Sequence, residues 1–78
     1  MKTKVLTYRA IIREDGKNFH GFVPALPGVH TSGKTIEETQ KNLRLAISQQ
    51  LEVMKEEKLE IPTESGIEYI ESFTYNYV

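Results

Sequence analysis

The chain has 78 residues, with 10 basic and 11 acidic side chains for a net charge of −1, and no cysteine. So short a chain makes one domain with a thin core, and without cysteine neither disulfides nor thiolate metal sites supplement it, which leaves self-association as the expected supplement. Its basic residues are scattered, which argues against direct nucleic-acid binding, and with neither a membrane span nor a signal peptide in view a cytoplasmic location is expected.

Residues 4 to 13 read as a strand: Leu6, Tyr8, Ala10 and Ile12 alternate with Val5, Thr7, Arg9 and Ile11. Asp15-Gly16 is a hairpin turn, and a second strand over about 19 to 24 ends at Pro24, which has no N–H for a ladder. Leu26-Pro27-Gly28 is a further turn, with Pro at its second position and Gly at its third. A short third strand, 29 to 32, is closed by Gly33.

Thr35-Ile36-Glu37-Glu38 is a capping box, in which the Thr35 hydroxyl accepts from the backbone of Glu38 and the Glu38 carboxylate reaches back. A helix over about 36 to 58 follows, its apolar stripe made by Ile36, Leu43, Ala46, Ile47, Gln50, Leu51 and Met54. Past the Pro62 loop, residues 66 to 78 alternate again, with Ile67, Tyr69, Phe73, Tyr75 and Tyr77 on one face. The order β-β-β-α-β predicts an α+β, two-layer sandwich: one long helix on a four-stranded, mainly antiparallel sheet. The chain reads as one domain over residues 1–78, with no repeat, linker or C-terminal DNA-binding domain.

Little here supports catalysis. His30 has only Thr31 and Ser32 hydroxyls beside it in sequence, and His20 is the second of two histidines, so neither a catalytic grouping nor a metal set is expected. If the meander pairs in order, His20 and His30 lie on adjacent strands. The single aspartate, Asp15, sits at a hairpin tip, and the ten glutamates are, apart from Glu14, spread from the helix to the last strand, so no two-metal carboxylate cluster is expected. Gly28, Gly33, Lys34 and Thr35 lack the spacing of a phosphate loop. No cofactor is implied. Tyr69 and Phe73 read as sheet core beneath the helix. Tyr75 and Tyr77, with His30 and, as their second reading, Tyr69 and Phe73, are candidates for an oligomer or partner interface, because an exposed edge strand is a template for another chain.

One set of residues points further. Tyr8, the hairpin Gly16, Pro24-x-Leu26-Pro27-Gly28, then Gly33-x-Thr35-x-x-Glu38, Asn42 and the Ile61-Pro62 exit together resemble the N-terminal domain of HicB-type antitoxins. The resemblance covers about residues 8 to 65. It implies a partial ribonuclease H-like fold without enzymatic activity. It also implies a dimeric or tetrameric protein that binds and neutralises a HicA-type mRNA-cleaving toxin. The alternative is an orphan oligomeric member with a regulatory or scaffold role. Ala25 and Lys34 stand where the family often has acids, Val29 where it often has cysteine and Thr39 where it often has alanine. Lost acidity at 25 and 34 weakens attraction to a basic toxin.

Overall fold

The computed structural model describes residues 2–64, 66, 67 and 69–77. Its elements run in the order β1 (Ile11–Asp15), β2 (Asn18–Phe22), β3 (His30–Gly33) and α1 (Ile36–Glu56). The strands form an antiparallel meander, β1-β2-β3, with Ile12 opposite Gly21 and Gly21 opposite Thr31. The helix lies on one face of this sheet.

The turns between the strands follow from their residues. Gly16 takes φ 64° in the β1–β2 hairpin, where a side chain would be strained. After β2 the chain makes two consecutive turns, closed by Leu26 N–H donating to the Val23 carbonyl (3.0 Å) and Val29 N–H to the Leu26 carbonyl (3.1 Å). Pro27 holds the second position of the latter turn and Gly28, at φ 93°, the third, as the sequence predicts for a type II turn. This segment is more than a connection. Val23, Leu26 and Val29 with Leu43 of α1 are the buried hydrophobic core among the described residues. The stiff double turn points three apolar side chains inward from a short length of chain.

At its N-terminus α1 is capped as expected, with the Glu38 N–H donating to Thr35 Oγ1 at 3.0 Å and Glu37 and Glu38 in the first turn. The reciprocal half of the box is not among the hydrogen bonds of the described residues. Instead the fully buried Thr39 donates its hydroxyl to the Thr35 carbonyl at 2.7 Å. Gly33 makes this possible. A Cβ there would lie 2.6 Å from Thr39 Oγ1 and 2.8 Å from Thr39 N, so the bare backbone is needed for close approach of β3 to the helix start, and not for a turn conformation. Asn42 fastens the same junction one turn on, donating from Nδ2 to the Ser32 carbonyl at 2.9 Å. The helix ends two residues earlier than predicted. Lys58 takes φ 56°, its N–H bonds the Lys55 carbonyl and the Leu59 N–H bonds the Met54 carbonyl, the pairing of a Schellman cap.

Three expectations need correction. Strand β1 begins at Ile11, not residue 4, because β2 ends at Phe22 and residues 4–10 run past it with no ladder partner. Residues 66, 67 and 69–77 form no strand, so the sheet has three strands and not four; Ser65, Glu68 and Val78 lie outside the described residues. Tyr69 and Phe73 are consequently exposed instead of lying beneath α1, and Ile36 is exposed at the first turn. The remaining stripe residues Ala46, Ile47, Gln50, Leu51 and Met54 are half-buried, so the sheet-facing side of α1 is only partly covered.

Candidate functional site

Strand parity sorts the sheet into two faces. Gly21 turns toward the helix, where a Cβ would meet Thr39, Leu43 and Ile12. His20 and Phe22 therefore point to the opposite, open face. The register adds Ile11 and Arg13 from β1 and His30 and Ser32 from β3 to that face.

A connected cluster results. The His20 and His30 rings stack at 5.3 Å between centroids, with His30 Nδ1 and His20 Nε2 3.3 Å apart. Phe22 stacks on both, at 6.0 and 6.2 Å, and the Arg13 guanidinium sits 5.3 Å above its ring. The two histidines do meet across adjacent strands, diagonally, since the direct partner of His30 is Phe22. The sequence reading missed Phe22 and Arg13, although the alternation of His20 and Phe22 with the buried Gly21 and Val23 carries that information.

Chemically this cluster offers aromatic faces, imidazole nitrogens and one guanidinium. No group of three or more His, Cys, Asp or Glu close enough to hold a metal occurs among the described residues. Rings with a cation over one of them and a polar rim at Ser32 match the composition of protein-binding patches.

A second surface is built from the chain ends. The Tyr8 hydroxyl donates to the Pro62 carbonyl, and the Arg9 N–H donates to Glu64 Oε1 at 2.8 Å. Tyr8 also packs against the core, so the segment before β1 is tied to the segment after α1. Beyond that tie the aromatic residues Tyr69, Phe73, Tyr75 and Tyr77 are all exposed, Tyr75 and Tyr77 stacking on each other at 6.1 Å. Of the sequence-predicted residues, Tyr8, Gly16, Pro24, Leu26, Pro27, Gly28, Gly33, Thr35, Glu38 and Asn42 serve turns, core and helix anchoring. His30 lies on the open face and the four C-terminal aromatics lie on the arm, so the predicted interface residues fall on two surfaces and not one. No helix among the described residues is long and apolar enough to cross a membrane.

Fold and surfaces together define a small α+β domain whose exposed rings and apolar side chains are suited to contact with other protein. Comparison makes the class specific. The family model described as HicB-like antitoxin of bacterial toxin–antitoxin systems matches residues 8–77, and the chain belongs to that family. It is 41% identical over 54 residues to a UPF0150 protein of Thermotoga maritima, covering 67% of this chain and 72% of that one. It is also 36% identical over 64 residues to a UPF0150 protein of Thermoplasma acidophilum, covering 81% of this chain and 93% of that one. No solved structure matches it.

Proposed function

We propose that the protein is the antitoxin half of a toxin–antitoxin pair and neutralises a HicA-type mRNA-cleaving toxin by direct protein–protein contact, without an enzymatic step of its own. The observation that carries this is family membership over nearly the whole chain. The open sheet face supports it, since Arg13, His20, Phe22 and His30 offer rings and hydrogen-bonding groups on the face opposite the helix, with no second layer over them among the described residues. Scattered basic residues favour a protein partner over a nucleic acid. The protein works in the cytoplasm as a dimer or tetramer, its sheet gaining a fourth strand and with it the partial ribonuclease H-like form.

The test is co-expression with the short basic protein encoded beside it, if one is present. A co-purifying complex and relief of that protein's growth arrest are the expected results. Absence of both favours the second reading, an orphan oligomeric regulator or scaffold, which the exposed C-terminal aromatics also support.

A further inference from the structure

His20 and His30 are the two histidines of the chain, and the sheet brings them together. His20 pairs directly with Ser32 and His30 with Phe22, so the two rings are diagonal neighbours on the open face, within reach of each other for long side chains. His30 Nδ1 and His20 Nε2 stand 3.3 Å apart while the ring centroids are 5.3 Å apart, so the rings meet through their nitrogen edges. A shared N–H at that separation is a long hydrogen bond. An ion suits the distance better. Two imidazole nitrogens bound to one tetrahedral Zn²⁺ at about 2.0–2.1 Å are separated by about 3.3–3.4 Å.

The surroundings favour such an ion. His20 is half-buried and His30 exposed, so packing holds one ring while the other turns within its broad χ2 well to aim its lone pair. Phe22 stacks on both rings, at 6.0 and 6.2 Å, and limits how far they part. Among the described residues no third His, Cys, Asp or Glu joins them in a ligand set. The pair therefore offers no carboxylate oxygens for Mg²⁺ or Ca²⁺, while imidazole suits Zn²⁺. Arg13, opposite His20 on β1 and held 5.3 Å over the Phe22 ring, adds positive charge to this face and keeps the affinity for a cation moderate.

We propose that His20 Nε2 and His30 Nδ1 chelate one Zn²⁺ ion per chain, with water in the two remaining tetrahedral positions. Both rings bind as neutral imidazoles. The proton shared in the ion-free pair moves to the far nitrogen of the ring that carries it, His20 Nδ1 or His30 Nε2, so none is lost overall. The chelate ties β2 to β3 on the side of the sheet away from α1. Four paired positions join those strands, and four buried hydrophobic residues make the core among the described residues. A two-point clamp there adds the metal supplement that small domains without disulfides use. Half of a four-ligand set carries about half its binding free energy, which places Kd at roughly 10–100 µM.

The site is independent of the toxin reading and is tested with this chain alone. The untagged chain, freed of metal with EDTA and exchanged into a non-chelating buffer, is titrated with ZnCl₂ by calorimetry. The expected results are one ion per chain with a Kd in that range, and a melting temperature raised by about 5 °C or more at about 1 mM ZnCl₂. His20→Gln and His30→Gln are each expected to weaken binding at least about tenfold and to remove the thermal shift. Helical circular dichroism should stay unchanged in both, because these side chains sit on the open face. In the parent chain Zn²⁺ should shift the ring ¹⁵N resonances of both histidines together, at His20 Nε2 and His30 Nδ1, a readout that needs no variant. No saturable binding below about 1 mM, binding unchanged in either variant, ring shifts confined to one histidine, or an equal response to MgCl₂ would each overturn the chelate. One ion per two chains with a doubled sedimentation mass would also overturn it, by moving the site to between copies.

Discussion

Gly33→Ala probes the junction on which the fold depends. The added Cβ would stand 2.6 Å from Thr39 Oγ1, 2.8 Å from Thr39 N and 3.1 Å from Thr39 Cα, and two of these are helix backbone atoms that no rotamer change moves aside. Relief requires β3 to part from the first turn of α1, which overpacks the site at about 1–3 kcal/mol. Parting also strains the Thr39 hydroxyl bond to the Thr35 carbonyl and the Asn42 bond to Ser32, each worth about 1 kcal/mol. A loss of about 2–4 kcal/mol is expected, out of a total of roughly 4–12 kcal/mol for a domain of this size. Urea unfolding followed by helical circular dichroism, at fixed protein concentration because association adds to stability, measures it. The melting temperature is expected to fall by about 10 °C or more. In the Thr39→Ala background Gly33→Ala is expected to remain costly, because the 2.8 Å contact is with backbone nitrogen. A cost below about 0.5 kcal/mol, or full rescue by Thr39→Ala, would refute the close-approach argument.

Three further outcomes are expected. Lys58→Gly should raise stability by about 1 kcal/mol in the same unfolding assay, since it removes a side chain from the left-handed position of the helix cap. Asn42→Ala should cost about 1 kcal/mol, and amide exchange should show β3 opening more readily than β1 and β2. Phe22→Ala combined with Arg13→Glu should leave the chain folded, because both side chains sit on the open face. It should nevertheless weaken toxin binding at least about tenfold by calorimetry.

The middle of the chain was legible because local chemistry decides it. Asp15-Gly16, Pro27-Gly28 and Thr35 with Glu38 each fix a turn or a helix start through residues close in sequence, and each appears where expected. What the sequence did not disclose is that Val23, Leu26 and Val29 are core, since a segment rich in proline and glycine reads as connection. The role of Gly33 depends on a neighbour six residues away in the helix, so turn chemistry misassigned it. The ends were misread for a different reason. Alternation in residues 4–13 and 66–78 has the period of a strand, but a ladder also needs a partner edge, and periodicity does not supply one. The open-face cluster was half seen: His20 and His30 were placed on adjacent strands, while Phe22 and Arg13 emerge only with the register.

The central claim is that this chain silences a toxin by binding it. The direct measurement is RNA cleavage by a purified HicA-type toxin, titrated with the purified chain. Stoichiometric loss of cleavage, saturating at a fixed ratio and weakened by the Phe22→Ala, Arg13→Glu chain, is the predicted result. Cleavage that persists undiminished in molar excess of the chain would contradict the account.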